Sequence, residues 1–422
     1  MTVSAECNAE RRDMADNYNL GQAKKAKNDE FYTMYEDIES EMNAYFEFDH
    51  DVFRNKTILC PCDDPEWSNF TKYFAANFER FGLKKLISTS YAKGAGNKQP
   101  TLFELNSSLY DKTKHDTHGK IFTLTGDTDG SGHVDTDDVV FSGYLEGDGD
   151  FRSEEVTKLR DEADIIATNP PFSLFRSFLS WILEANKQFM IIGNMNAITY
   201  KEVFPLLKDN KIWLGYNEGG THKGNSMSFM IPDAYENKYI KTEEGLRLMQ
   251  TSGKWFTNID YGNRHKPLQL DTMIHNLKFN KKLKRNLINK FNQDPVNLHY
   301  LTYDNYDAIE VPFTECIPSD YDGVMGVPIS FMNKYCPEQF EILNANDYRK
   351  SSDVPEKSHG LVKDKEASIT ADHDQRREEK RRVSSRMHES LSNENNILAP
   401  GCLNAYVNSR KTYGRIFIRR IS

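Results

Sequence analysis

Asn169, Pro170, Pro171 and Phe172 follow directly on an apolar run, Asp164-Ile-Ile-Ala-Thr168. Neither proline has an N–H to give to a ladder, so a central strand must end there. The residue before a proline is pushed towards extended backbone, which holds this segment stiff. The pattern predicts Asn169 at the carboxyl end of a buried strand, the edge at which open α/β sheets bind ligands. An Asn amide oxygen and the neighbouring Pro170 carbonyl are two acceptors. Together they suit an exocyclic NH₂ group, which offers two hydrogens. Phe172 adds a flat face for a planar base. The alternative use of the string is a strand followed by a proline-rich turn.

The elements that must position this site are legible around it. The segment after Thr33, to about Phe46, reads as an amphipathic helix and Lys56–Cys62 as a first buried strand. Ser68–Phe81 has helical spacing, with Phe70, Tyr73, Phe74, Phe78 and Phe81 on one side and Gly82 as its cap. Leu86–Tyr91 reads as a second strand, 92–120 as polar loop, and Val139–Leu145 as a further strand. A helix over Glu154–Ala163 precedes the Asn-Pro-Pro-Phe strand, a helix over Leu174–Ala185 follows it, and Gln188–Asn194 is another buried strand. A short helix at Tyr200–Lys208 and a strand at Lys211–Tyr216 come next. Met227–Ile231 and Lys254–Asp260 are expected to close the sheet as a hairpin. Alternation at this spacing predicts a largely parallel, doubly wound α/β sheet.

Beyond about residue 270 the pattern becomes aromatic, Asn-rich and Pro-rich, and Ile416-Phe417-Ile418 regains strand character. The expected organisation is therefore a disordered N-terminus over 1–20, a catalytic domain over 21–270 with an insertion at 92–145, and a target-recognition region over 271–422. Residues 345–396, nearly devoid of apolar groups, read as a polar mobile insertion within the last part.

The chain has 422 residues, 38% of them hydrophobic, a net charge of −9 and six scattered cysteines. Its mean hydropathy is −0.70, low for one compact core. No apolar run is long enough to span a bilayer, and no signal core opens the chain, so no membrane association is expected. Only Cys60 and Cys62 lie close together, and no second pair completes a zinc site. Reduced thiols in a cytoplasmic protein are the simple reading. The acidic balance argues against coating nucleic acid nonspecifically, yet a local basic cleft can steer DNA on an acidic protein. Basic clusters occur at Lys281, Lys282, Lys284, Arg285 and Lys290, and at Arg410, Lys411, Arg415, Arg419 and Arg420.

Asp127, Asp129, Ser131, Asp135 and Asp138 fall at places 1, 3, 5, 9 and 12 of a twelve-residue calcium-loop pattern, with Gly132 at place 6. Asp138 is shorter than the Glu expected last, and the flanks read as strands rather than helices. A polar turn competes with structural, noncatalytic calcium here.

Several strings occur in order: Lys27-Asn-Asp-Glu-Phe31-Tyr32-Thr33, Cys62-Asp63-Asp64-Pro65, Gly147-Asp148-Gly-Asp150-Phe151-Arg-Ser153, Asn169-Pro-Pro-Phe-Ser-Leu-Phe-Arg176, and Ile191-Ile-Gly-Asn-Met-Asn-Ala-Ile-Thr-Tyr-Lys-Glu202. Trp255-Phe-Thr-Asn258, Tyr303-Asp-Asn-Tyr-Asp-Ala308, Gly326-Val-Pro-Ile-Ser-Phe331 and Arg415-Ile-Phe-Ile-Arg-Arg420 continue the series. The chain resembles the EcoRI-type adenine-specific DNA methyltransferases over roughly residues 20–345 and its last fifteen or so. The resemblance implies a Rossmann-like sheet, S-adenosylmethionine as cofactor, and N6-methylation of an adenine in a specific duplex DNA sequence. The adenine would be flipped out of the helix, because pairing buries its amino group.

The resemblance further implies residue roles. Asn169, Pro170, Pro171 and Phe172 would be catalytic. Phe31, Tyr32 and Thr33 would pack over the methionine part of the cofactor. Asp63 and Asp64 at the first strand's end, and Asp148, Asp150 and Phe151 in a second acidic turn, would contact its other parts. The usual glycine-rich cofactor loop is absent, and the end of the second strand, Ser90-Tyr91, lacks the acidic residue that often holds the ribose. DNA contacts are expected C-terminal to about residue 270, at Lys281, Lys282, Lys284, Arg285 and Arg415. A bacterial or phage restriction-modification setting is implied, with a cognate endonuclease that need not touch this chain. Methylation of RNA adenine or of a protein glutamine amide remains the alternative, since those enzymes share Asn-Pro-Pro-aromatic.

Overall fold

The computed structural model describes residues 32–61, 63, 68–92, 105, 107–217, 227–231, 239–242, 245, 247–343, 405–412 and 414–421. The expectations for 1–20 and 345–396, and those for Phe31 and Asp64, lie outside the described residues. Two compact units emerge, Met1–Ala197 with Asp209–Leu268 and Met332–Glu338, and Ile198–Lys208 with Gln269–Phe331 and Gln339–Ser422.

In the first unit, strand β1 (Tyr32–Thr33) runs into helix α1 (Tyr35–Phe48), which leads to β2 (Thr57–Cys60). Helices α2 (Asn69–Ala76) and α3 (Phe78–Phe81) then lead to β3 (Lys85–Ser90). The single helix expected over 68–81 breaks at Asn77, whose side-chain amide donates to the Tyr73 carbonyl and competes with the helical ladder. Gly82, at φ 61°, ends α3 in the left-handed conformation. Strands β4 (Lys120–Leu124) and β5 (Val140–Tyr144) follow, then α4 (Glu154–Glu162), β6 (Ile165–Thr168), α5 (Phe175–Glu184), β7 (Gln188–Asn194) and, in the second unit, the short α6 (Phe204–Lys208). Strands β8 (Trp213–Leu214), β9 (Met227–Met230), β10 (Ile240–Lys241), β11 (Arg247–Thr251) and β12 (Gly253–Thr257) complete the first unit.

Eight of these strands form one sheet in the order β5-β4-β3-β2-β6-β7-β12-β8. β3, β2, β6 and β7 are mutually parallel, while β4, β5 and β12 bring antiparallel pairing at the two flanks. The sheet is thus mixed rather than largely parallel. β4 begins at the end of the expected loop 92–120 and covers residues for which the sequence predicts no strand. The central strands β2 and β6 are buried along their whole length, as strands covered on both faces must be. Their continuous apolar runs follow from that burial.

The expected hairpin between 227–231 and 254–260 does not form. β9 pairs with β1 and β11 in a second sheet, β1-β9-β11-β10, whereas β12 inserts between β7 and β8. The chain turns from one sheet to the other at Ser252, whose carbonyl accepts the Met195 N–H at 2.8 Å. An aromatic core fills the space beneath α1–α3: Phe53 packs on Phe81 (4.7 Å between ring centres) and on Phe74 (5.9 Å). Each such ring contributes about 1.5–3 kcal/mol by burial. Buried Glu41 on α1 accepts the backbone N–H groups of Tyr216 (2.9 Å) and Asn217 (2.7 Å), and burial pushes its carboxyl up to about 7.

The second unit carries α7 (Met273–Phe279) and α8 (Lys281–Phe291), then β13 (Ile309–Glu310), β14 (Met325–Pro328), β15 (Phe340–Ile342), β16 (Ala405–Val407), β17 (Arg410–Thr412) and β18 (Arg415–Arg420). Its sheet has the order β13-β14-β18-β15, beside a β16–β17 hairpin. Asn408 and Ser409 both take positive φ in that hairpin's two-residue turn, which matches the right-handed strand twist. Among the described residues, no helix is long and apolar enough to cross a membrane. Cys60, Cys316 and Cys336 are buried and form no disulfide among the described residues.

Candidate active site

β6 ends at Thr168, and the two prolines behind it stop the ladder. Asn169 is half-buried, Pro170 buried, and Pro171 and Phe172 half-buried. The Leu174 N–H donates to the Pro171 carbonyl at 2.8 Å and starts a tight turn that runs into α5. Phe175, the first residue of α5, packs closely against Gly193 of β7. A methyl group at Gly193 would collide with its ring, so only glycine lets strand and helix approach this closely. The Phe172 ring meets Phe229 of β9 edge-on, at 6.2 Å and 80°. Phe229 is paired in register with Thr33 of β1. The Asn-Pro-Pro-Phe turn and the aromatic-Thr segment are therefore neighbours.

Asp63 follows β2 and reaches both flanking strands. Its carboxylate accepts the Thr168 hydroxyl (2.5 Å) and the Ser68 hydroxyl (2.7 Å). Its carbonyl accepts the hydroxyls of Ser88 and Thr71. Ser68 also caps α2 by accepting the Phe70 N–H, and Asn69 next to it donates to the Thr33 carbonyl at 2.8 Å. Thr33 is 3% exposed, and its hydroxyl oxygen is buried without a hydrogen-bond partner. Such an atom is costly unless something supplies the missing bond. Tyr32 extends the same strand, its backbone paired with Met230.

The second acidic turn packs on the end of β3. The Ala92 N–H donates to the Asp148 carbonyl (2.7 Å), and a side chain at Gly149, φ +85°, would strike the Ser90 carbonyl. The Asp148 carboxylate accepts the Asp150 N–H at 3.0 Å. The Arg152 side chain's hydrogen bond holds the Asp150 carboxyl below the usual range. Phe151 is 3% exposed and packs against Phe178 (4.9 Å) and Trp181 (5.5 Å), which anchors the turn in the core.

On α8, Leu283, Leu287 and Phe291 face inward. Lys281, Lys282 and Arg285 are exposed and Lys284 half-exposed. Lys282 pairs with Glu315 at 2.8 Å, whereas no carboxylate among the described residues pairs with Lys281, Lys284 or Arg285. Arg415, the further candidate for a DNA contact, is engaged within the fold. Its guanidinium is 11% exposed and forks onto Glu310, which is 3% exposed, at 2.5 Å. Tyr303 donates to the same carboxylate. Arg419 likewise pairs with Glu341, and Arg420 donates to the Ser319 carbonyl.

Asp127, Asp129 and Asp138 gather their carboxylates within 4.8 Å of one another. Backbone N–H groups hold the Asp127 and Asp138 carboxyls below their usual range, so both are ionised at neutral pH. Asp135 lies outside this group. Its carboxylate accepts the Asp137 N–H and caps the turn at Thr136–Asp138, and the Ser131 hydroxyl donates to the His133 carbonyl. Sequence spacing missed Thr168, Asn69 and Phe229 because their partners are distant in the chain, and Ser68 although its partners Asp63 and Phe70 are near. Only Ser68 left a signal, as a helix-capping residue before an apolar helix.

The chain is an α/β enzyme, a site-specific DNA adenine methyltransferase. It belongs to the EcoRI-type adenine-specific methyltransferase family, whose profile, described as adenine-specific methyltransferase EcoRI, matches residues 19–420. Curated relatives include the Escherichia coli Type II methyltransferase M.EcoRI, 41% identical over 344 residues, 80% of this chain and 91% of the relative. The Mycoplasma genitalium Type II methyltransferase M.MgeORF184P is 35% identical over 78% of this chain and 88% of its own. The Mycoplasma pneumoniae Type II methyltransferase M.MpnI is 31% identical over 78% and 86%. No solved structure matches at the same stringency.

Proposed function

We propose that the carboxyl edge of the eight-stranded sheet is the site where S-adenosylmethionine meets a flipped adenine. The observation that carries this reading is the Asp63–Thr168 hydrogen bond. β2 leads to β3 on one side and β6 to β7 on the other, so the strand order reverses between β2 and β6. That is a topological switch point, where Rossmann-like sheets bind ligands. Asp63 and Asn169 stand at its two lips.

S-adenosylmethionine supplies an electrophilic methyl group on a sulfonium. Thr33 and Asp63 would hold it, the unpartnered Thr33 hydroxyl giving one polar contact, with Asp148 and Asp150 beyond the end of β3. Phe31, Tyr32 and Asp64 belong to the same proposal by their place in the chain. Asn169 and the Pro170 carbonyl accept the two hydrogens of the adenine amine. An aromatic amine is a poor nucleophile because its lone pair is delocalised. Two fixed acceptors favour the pyramidal form with a directed lone pair, so the gain is positioning plus stabilisation of developing positive charge. Duplex DNA would run over the second unit, with Lys281, Lys284 and Arg285 on its phosphates. A cognate endonuclease for the same sequence, not in contact with this chain, completes the setting.

Phe172 stacks on the flipped base in this reading. Phe172→Ala lowers kcat/KM for duplex DNA by about 1–3 kcal/mol, the usual worth of one stacked base. The signal of 2-aminopurine at the target position should also differ between variant and parent. Equal signals and equal kcat/KM would remove Phe172 from the site.

The loop at 127–138 is proposed to take calcium through Asp127, Asp129 and Asp138, a hard cation suiting clustered carboxylate oxygens. Millimolar calcium then raises the melting temperature of metal-free protein over that in chelator without changing turnover. No shift would leave a polar turn built on the Asp138 caps.

A further inference from the structure

We propose that Thr168 is a positioning residue, which fixes the Asn169–Pro170 acceptor pair to the cofactor side of the site through Asp63. The inference rests on the site reading above and assigns a role to a residue outside it. Thr168 is 1% exposed and is the last residue of β6. Its hydroxyl lies 2.5 Å from Asp63 Oδ2 and 2.9 Å from the Pro61 carbonyl. A hydroxyl has one hydrogen to donate, and the carboxylate is the stronger acceptor.

What lies beyond Asp63 gives that bond its consequence. The other carboxylate oxygen takes the Ser68 hydroxyl, Ser68 caps α2, and Asn69 holds the Thr33 carbonyl. On the other side, Thr33 pairs with Phe229, whose ring meets Phe172. Thr168, Asp63, Ser68, Asn69, Thr33, Phe229 and Phe172 thus close a ring of contacts around the switch point. Asn169 is bonded directly to Thr168, and the prolines that follow stiffen the segment, so a displacement of Thr168 carries into the Asn169 amide and the Pro170 carbonyl. Two acceptors that must meet two hydrogens of one nitrogen tolerate little displacement. The β6 ladder needs no hydroxyl here, and a valine has the same branched shape, so Thr168→Val removes the hydrogen bond without opening a cavity.

The test compares Thr168→Val and Thr168→Ser with the parent, in single turnover on duplex DNA and in steady state. Thr168→Val should lower kcat by about tenfold or more, the rate equivalent of one charge-assisted hydrogen bond. KM for DNA should stay within about twofold, because no group placed against DNA is changed. Thr168→Ser, which keeps the hydroxyl, should restore most of the rate. If Thr168→Val only lowers the melting temperature while kcat per folded molecule is unchanged, the residue is structural and the proposal falls. It falls equally if the serine variant is as slow as the valine one. Asn169→Ala separates the two levels. A fully active Asn169→Ala would sink the site reading itself, whereas an inactive Asn169→Ala beside a normal Thr168→Val would sink only the role of Thr168.

Discussion

Asn169→Ala lowers methyl transfer by about a hundredfold to a thousandfold, on the order of 3–4 kcal/mol for one preorganised transition-state acceptor. The fold should survive. The buried stretch of β6 ends at Thr168, and both prolines that hold the turn remain. Melting temperature and cofactor affinity therefore stay near those of the parent, while the single-turnover rate collapses. Asn169→Asp is an informative companion, since it keeps an acceptor oxygen in place and adds a charge beside the developing cation. Near-normal turnover of purified Asn169→Ala would move the chemistry to another part of the sheet edge.

How much of the fold and site is legible in the sequence depends on how local the cause is. The strand 165–168 and the stop behind it follow from apolar residues and two missing N–H groups, all within eight residues. The helix ends at Ser68 and Gly82 are equally local. β4 is hidden because Lys120–Leu124 alternates buried and half-buried residues at the flank of the sheet and follows a polar loop. The pairing of β9 and β12 with different sheets is also beyond local reading. Both strands are apolar, and the choice of neighbour is made by β1 and β7, far away in the chain. The Asp63–Thr168 bond joins residues 105 positions apart and leaves no trace in spacing. The packing of Phe151 on Phe178 and Trp181 and the Arg415–Glu310 pair likewise join residues far apart in the chain.

Arg415→Met destabilises the protein by about 3–5 kcal/mol, because it leaves Glu310 buried without its cation. Glu310 is 3% exposed, the pair is forked at 2.5–3.2 Å, and water has little access to repair the loss. The double variant Glu310→Leu with Arg415→Met should recover most of the stability, since apolar replacements of a buried pair are often neutral. Lys281→Gln and Lys284→Gln should behave in the opposite way. Both positions lie on the outer side of α8, so melting is expected to stay near the parent's. Binding to all DNA sequences weakens alike, and the salt dependence flattens by about one unit for each phosphate left without its lysine. Base choice is unchanged, because phosphates carry no sequence. The contrast decides which basic residues face DNA. If Arg415→Met melted like the parent and bound DNA more weakly, its guanidinium would have to leave Glu310 for a phosphate. That exchange would strand a carboxylate in the core of the sheet, a cost that the melting temperature reads directly.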